Sequence, residues 1–596
     1  MINSRLLPFA FVLLSTAAWG STDTNGPNGI DSIATGLDGT GIPIGQGEAN
    51  RSAKFGYDTD PMLVAENTIP TGVYRQTDAG MDDPNPDPFV LDHATEVAGV
   101  MIGKDTPFAD RVGVAPNSEL HSIAMFDLSD DNGVALSLNR LATLNVNVTA
   151  INLSIAPELQ STHADGNSHM SEFVDWSARQ HHVLYVIAWG NVDENPAFRK
   201  PGDSFNGITV AGSERDGGVY RKWWTGNHVT GDAEGARTSV SLLAPGEGVE
   251  VLSLNNQQIP VDGTSFAAPH VTATTALLHQ YAKPKVDAAE PRWTVNSRRH
   301  ETMKAVLLNS ADKLAGAHGS TRDVLNRFGQ DWTDSPASMS SEIPLDEWMG
   351  AGHLNARRAL RQLQSGEYDP GPVLSIGWDF HTAGGPNEYV FESQIGGGYL
   401  AATLVWDRRV DKISGGNYMD GDQFTNQTPA QRLNNLDLYL MPANSTDLMN
   451  AISVSNSLVQ NVEHIFFEIP SPGEYKLVVV NNPVGGIGDN QTYALAWWFG
   501  NPFVRGDYNG NGSVGPEDYD LWRSNFGSTS NLAADGNGNN VIDAADYAVW
   551  RDNLGAGAGS GTAAAVPEPS SIALALMFAA AVCGTAFRSS GVRIRL

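Results

Sequence analysis

A serine placed to act as a nucleophile stands in the stretch Gly263-Thr264-Ser265-Phe266-Ala267-Ala268-Pro269-His270-Val271. A tight Gly-Thr turn before an apolar run with helical spacing sets the Ser265 hydroxyl at a helix start. The unpaired N–H groups and partial positive charge of a helix start favour an oxyanion beside it. Pro269, read as part of the first turn, removes no N–H that the helix needs. Acyl transfer through serine is the chemistry this suggests. His270, further along the run, reads as structural. Taken alone, Ser265 is explained as well by helix capping.

Other chemistry-bearing residues precede Ser265 in a fixed order. Glu48 ends Gly39-Thr40-Gly41-Ile42-Pro43-Ile44-Gly45-Gln46-Gly47-Glu48, and His93 lies in Asp92-His93-Ala94-Thr95-Glu96-Val97-Ala98-Gly99. Asn191 closes Val186-Ile187-Ala188-Trp189-Gly190-Asn191. Singly, His93 is an ordinary helix-start histidine and Asn191 a turn residue. In this order, and with the shorter segments Gly113-Val114-Ala115-Pro116, Ala150-Ile151-Asn152-Leu153-Ser154, Ile208-Thr209-Val210-Ala211-Gly212, Leu243-Ala244-Pro245-Gly246 and Gly350-Ala351-Gly352-His353-Leu354-Asn355-Ala356, the chain resembles the subtilisin-like serine proteases, or subtilases.

The resemblance implies a catalytic domain over residues 36–364 that cuts protein or peptide substrates. In it His93 takes the Ser265 proton, Ser265 attacks the peptide carbonyl, and the Asn191 amide with the Ser265 N–H holds the oxyanion. Glu48 stands where the family carries aspartate, so the triad is a Ser-His-Glu variant; Asp92 and Asp38 are the alternative acids. The resemblance also implies that an extended substrate pairs with an edge strand like 152–156, through Asn152, Ser154 and Ile155. Ala188, Trp189 and Gly190 then form the opposite pocket wall, with Trp189 either narrowing it for slim side chains or packing its bulk elsewhere.

These residues need a scaffold, and apolar runs alternating with helical stretches supply one independently. They predict an α/β fold, a mostly parallel sheet with helices on both faces and active residues at strand ends. From 371 to 499 the texture changes to short β-rich runs between Gly, Asn and Pro. That predicts an antiparallel β-sandwich, and it resembles the jelly-roll domain of certain secreted subtilases. There Asp437 reads as a strand-edge carboxylate rather than a calcium ligand.

A repeat offset by 28 residues fills 505–555. Asp507, Asn509, Asn511, Ser513 and Asp518 of the first copy match Asp535, Asn537, Asn539, Val541 and Asp546 of the second. Oxygen side chains at loop positions 1, 3, 5 and 12, with a backbone carbonyl at 7, suit Ca2+. The duplicated loop and helix resembles a dockerin, which implies a cohesin-like partner. Little apolar sequence is present, so folding is expected to require the metal.

Composition sets bounds. The 596 residues carry 67 acidic and 37 basic side chains, a formal charge of -30, which argues against a nucleic-acid partner. Residues 1–20 read as a signal peptide: Arg5, an apolar stretch and a small-residue cleavage site. About twenty residues separate it from the first strand, too few for an inhibitory pro-domain, so autoprocessing is not expected. Cys583 is the lone cysteine, so an exported chain must rely on packing or metal rather than disulfides. A Gly/Ala linker at 556–565 leads to residues 566–596, which resemble a PEP-CTERM sorting signal. The resemblance implies an exosortase-type enzyme as partner; the apolar stretch 572–587 gives transient membrane contact, or a permanent anchor. The competing class for the whole chain is a catalytically degenerate surface protein using the fold for calcium-dependent assembly.

Overall fold

The computed structural model describes residues 30, 35–63, 65–75, 87–104, 113–125, 127–155, 165–191, 201–216, 219–222, 237–314, 323–326, 328–391, 398–425, 433–482, 490–500, 506, 508, 514–528, 534, 536 and 541–555. The signal-like segment 1–20, the linker 556–565 and the tail 566–596 lie outside them.

Short apolar runs separated by helical stretches become a nine-stranded sheet. Its strands are β1 (Pro43–Glu48), β2 (Gly72–Arg75), β3 (Glu119–Ala124), β4 (Ala150–Leu153), β5 (Leu184–Ala188), β6 (Ile208–Asp216), β7 (Val219–Lys222) and β8 (Leu242–Pro245). After a separate hairpin of β9 (Val249–Leu252) and β10 (Gln258–Val261), β11 (Asp323–Leu325) completes it. The spatial order is β11-β7-β6-β5-β4-β1-β3-β2, with β8 also on β6. The β6–β7 pair is antiparallel and the others are parallel.

Helices cover both faces, because successive strand residues point to opposite sides. α1 (Asp92–Ile102), α4 (Thr264–Asp287) and α5 (His300–Asn309) share one core with Ile44, Ala150 and Val186. α2 (Asp131–Ala142) and α3 (His169–His181) share the other with Ile151, Leu153 and Ile187. A short α6 (Pro336–Met339) and α7 (Ala356–Gln364) end this part of the chain. The mostly parallel α/β arrangement expected from the sequence is therefore what forms.

β1 is a poor strand by propensity, yet all six residues are buried. Its glycines explain this. A β-carbon on Gly45 would sit 2.9 Å from Ile151, and one on Gly47 would sit 2.9 Å from Leu138. Small residues let α2 and β4 press onto β1, fixing the strand end that carries Glu48.

From Gly371 two sheets stack as a sandwich. One runs in the order Gly371–Val373, Asn387–Phe391, Tyr475–Asn482, Asn435–Pro442 and Ser453–Ser455. The other runs Ile376–Ala383, Gln491–Gly500, Tyr399–Trp406 and Val462–Glu468. All pairings are antiparallel except Gly371–Val373 with Asn387–Phe391.

The sandwich shares its core with the first part. Trp378, Val405, Val462, Ala494 and Ala496 pack with Met303, Val306 and Leu360. Buried polar bonds cross the same seam. Arg408 Nε donates to Asp175 Oδ2 at 2.7 Å, and Thr403 Oγ1 donates to Asn309 Oδ1 at 3.0 Å. Asn461 Nδ2 reaches the Phe205 carbonyl at 3.0 Å. Asp437 is buried, accepting from Tyr439 at 3.2 Å and Asn482 at 3.1 Å, in keeping with a strand carboxylate.

Beyond the sandwich, α8 (Pro516–Ser524) and α9 (Ala544–Asp552) pack together around Tyr508, Ala534 and Ile542. Each tryptophan braces the other repeat: Trp522 Nε1 donates to the Asp543 carbonyl and Trp550 Nε1 to the Gly515 carbonyl, both at 2.8 Å.

Candidate active site

Glu48 ends β1 and is 1% exposed, while His93 is the second residue of α1. Gln46 Nε2 donates to the Ala94 carbonyl at 2.7 Å, tying the first turn of α1 to β1. That tether brings His93 Nδ1 to 3.3 Å from Glu48 Oε2, with the ring about one-third open to solvent. The extra methylene of glutamate is accommodated, and the two alternative acids are committed elsewhere. Asp92 accepts the Leu254 N–H at 2.8 Å, and Asp38 caps its own turn through Thr40 and Asn117.

Burial pushes the Glu48 carboxyl above its usual range, against the polar contact and charge of His93. Its Oε1 has no hydrogen-bond partner among the described residues, which adds to the cost of ionising it. Burial alone would push His93 down. The contact with Glu48 and its charge, reinforced by Glu96, override burial and leave the imidazole raised.

Ser265 is the second residue of α4, whose buried, largely apolar and small surface keeps it central in the domain. Phe266 beside it sets its ring 5.5 Å from the His93 ring. Among the described residues no hydrogen bond joins the Ser265 hydroxyl to His93. Helix α4 starts at Thr264, so Pro269 lies in its second turn rather than its first. The missing Pro269 N–H is the one that would have bonded to the Ser265 carbonyl. Ser154 Oγ takes its place, donating to that carbonyl at 2.7 Å. The proline thus frees the nucleophile's own carbonyl for a tether from the end of β4. His270 is fully buried, as expected of a structural residue.

Asn191 lies against the start of α4. Its Oδ1 accepts from the Thr264 N–H at 2.9 Å and the Thr264 hydroxyl at 2.8 Å. Gly190 N–H donates to that same hydroxyl at 3.0 Å. Gly263, at φ 143°, has Asn191 Nδ2 where its β-carbon would be, 2.9 Å away. Glycine is required there both for the backbone angle and for the approach of the amide. Glu48, His93, Asn191 and Ser265 are thus gathered at the ends of β1 and β5 and the starts of α1 and α4.

The substrate-side expectations need revision. β4 is interior, between β1 and β5, not an edge strand. Asn152 is fully buried: its Nδ2 donates to Ser154 Oγ at 2.9 Å and its Oδ1 accepts from Thr272 at 3.2 Å. It braces Ser154 instead of facing a peptide. Ser154 and Ile155 are each 5% exposed, and Ala156 lies outside the described residues. Ala188 is buried, whereas Gly190 is part of the Thr264 network. Trp189 is buried among Ala211, Val240 and Leu243, with Lys222 Nζ 3.9 Å from its ring centroid. Its bulk is absorbed by the core.

Of the calcium-loop residues, Asp518, Val541 and Asp546 are described; Asp507, Asn509, Asn511, Ser513, Asp535, Asn537 and Asn539 lie outside. Asp518 and Asp546 are fully buried in the first turns of α8 and α9. Asp518 accepts from Tyr508 N–H and Gly515 N–H, both at 2.7 Å, and Asp546 accepts from Asp543 N–H at 2.7 Å. Both carboxylates close capping boxes at the starts of short helices.

Sequence reasoning missed Thr264, the hub between Gly190 and Asn191, and the pairing of Ser154 with Pro269. Both had a signal: a hydroxyl directly before the nucleophile, and a proline four residues after it.

Residues 29–330 match the subtilase family, peptidase family S8. Alkaline elastase YaB of Bacillus sp. (strain YaB) is 26% identical over 239 residues, covering 39% of this chain and 55% of that protein. Mycosin-1 of Mycobacterium tuberculosis is 26% identical over 363 residues, covering 53% of this chain and 72% of that protein. A solved protease of Pseudoalteromonas arctica superposes with a TM-score of 0.38 at 18% identity, over 57% of this chain and 95% of that one. This chain thus spans little more than half the length of the first of these relatives.

Proposed function

The chain belongs to the subtilase family, and from that premise we propose that it is a serine endopeptidase working through Ser265, His93 and Glu48. The observation that carries the reading is the Glu48–His93 pair, 3.3 Å apart with the carboxylate buried, beneath the start of α4 that bears Ser265.

A neutral His93 Nε2 removes the Ser265 proton as Oγ attacks the peptide carbonyl, and Glu48 stabilises the imidazolium formed. The Ser265 N–H and Asn191 amide hold the developing oxyanion. His93 then passes its proton to the leaving amine, and water repeats the sequence to release the acyl group. The missing Ser265–His93 hydrogen bond is the feature that favours the competing, non-catalytic reading. Catalytic hydrogen bonds are often long or absent without substrate and tighten only in the substrate complex.

The finer parts of the proposal rest on sequence. Residues 1–20 direct export. Asp507, Asn509, Asn511, Ser513 and Asp518, and Asp535, Asn537, Asn539, Val541 and Asp546, would hold Ca2+ in a dockerin-like module open to a cohesin-like partner. The ion would neutralise the buried carboxylates and order the loops. Residues 566–596 act as an exosortase-dependent sorting signal. Casein hydrolysis by the wild type, abolished in Ser265→Ala, tests the peptidase reading; equal residual hydrolysis by both proteins would overturn it.

A further inference from the structure

His182, His300 and Glu301 meet where the protease-like part joins the sandwich, far in sequence from both the triad and the calcium loops. His182 is the exposed C-cap of α3, held at φ 55° before the turn into β5. His300 and Glu301 open α5 and are 1% and 3% exposed. One ligand atom from each lies within 4.8 Å of the others. From the sandwich, Asp407 Oδ1 accepts from His300 Nε2 at 2.9 Å.

Two atoms in this cluster are buried without a hydrogen-bond partner: His300 Nδ1 and Glu301 Oε2. They lie 3.1 Å apart as a close charge pair, and neither has a hydrogen-bond partner among the described residues. Two donors about 2.0–2.1 Å from a tetrahedral metal lie roughly 3.3 Å apart. The orphaned pair already has that separation. A carboxylate on the far ring nitrogen is also the usual way to fix a metal-binding imidazole, and Asp407 provides it.

We propose that His182, His300 and Glu301 bind a divalent transition-metal ion, with Zn2+ as the probe of choice, and that Asp407 orients His300 from the sandwich side. Two imidazoles and a carboxylate form a borderline-soft donor set suited to Zn2+ rather than to Ca2+. The exposed side of His182 leaves a position for water. The nearest basic groups are engaged elsewhere: Arg299 with Asn296 and the Phe380 ring, Lys304 with the Phe205 carbonyl. A metal here clips α3 and α5 to the sandwich through Asp407.

The test uses the full chain carrying Ser265→Ala, so it does not depend on activity or on the peptidase reading. Metal is stripped, the calcium loops are saturated with CaCl2, and ZnCl2 is titrated by calorimetry, with Co2+ absorption as a geometric probe. The expected result is one tight Zn2+ site that raises the unfolding midpoint and gives a low-symmetry Co2+ spectrum. His182→Ala, whose ring is exposed and whose loss leaves the fold intact, weakens that site at least about tenfold, and Glu301→Gln does the same. No Zn2+ binding by the parent, or equal Zn2+ affinity and stoichiometry in parent and His182→Ala, overturns the assignment.

Discussion

Ser154 and Pro269 form a unit that a double-mutant cycle can expose. Ser154 Oγ donates to the Ser265 carbonyl at 2.7 Å and accepts from Asn152 Nδ2 at 2.9 Å. Ser154→Ala removes both bonds. A buried polar group left unpaired costs about 1–3 kcal/mol, and the Ser265 carbonyl, being partly solvated, falls at the low end. The expected loss is about 2–4 kcal/mol of unfolding free energy, with a fall in kcat because the backbone bearing the nucleophile loosens. Pro269→Ala restores the N–H that points at the same carbonyl. In the Ser154→Ala background it should recover about 0.5–1.5 kcal/mol more than it changes in the wild type. Urea unfolding of the four proteins, followed by tryptophan fluorescence, measures the coupling. Effects that add to within about 0.5 kcal/mol would show that the tether and the proline are independent and would refute the reasoning.

Three further expectations concern the triad, the seam and the metal loops. Glu48→Gln removes a charge 3.3 Å from His93; at an effective dielectric near 20 that is about 5 kcal/mol, or about half that for a ring partly in solvent, so kcat/KM should fall between roughly 70-fold and 5,000-fold. The pH profile should change as well. The wild-type acidic limb should lie above about 6.5, the ordinary histidine value, because Glu48 raises His93 and activity is lost as pH falls through that value. In Glu48→Gln burial is opposed only by the weaker charge of Glu96, so the limb should move to lower pH than in the wild type. Arg408→Ala should cost about 3–5 kcal/mol by stranding the fully buried Asp175, with a smaller further loss in Arg408→Ala/Asp175→Ala; equilibrium unfolding checks both. Asp546→Asn should halve the calcium stoichiometry measured by calorimetry on the full chain, and an unchanged two-site isotherm would contradict the loop assignment.

Much of this was legible because motif residues sit where helix and strand ends must fall. Glu48 closes the glycine-rich run 39–48 and His93 opens an apolar helical one, so a strand end and a helix start bring the two together. The sandwich was legible as β-rich texture, but its fusion with the first core was not. Trp378 and Val405 look like ordinary strand residues, and nothing local says that their neighbours are Met303 and Leu360. Asn152 was misplaced for a similar reason. A four-residue strand carries no mark of being interior, and its amide reads as polar and available until Thr272 and Ser154 are seen to occupy it. Local sequence leaves Trp189 open between pocket wall and core, because the partner that holds it, Lys222, is 33 residues away. The zinc-binding cluster had no readable spacing at all, since His182 and His300 come from the end of one helix and the start of another.

The most direct measurement is labelling with a fluorophosphonate followed by peptide mapping, on the wild type, Ser265→Ala and His93→Ala. An activated nucleophile gives a single adduct on Ser265 that disappears in Ser265→Ala and is strongly slowed in His93→Ala. A folded wild type that takes up no label at Ser265, or labels equally fast without His93, would contradict the peptidase assignment.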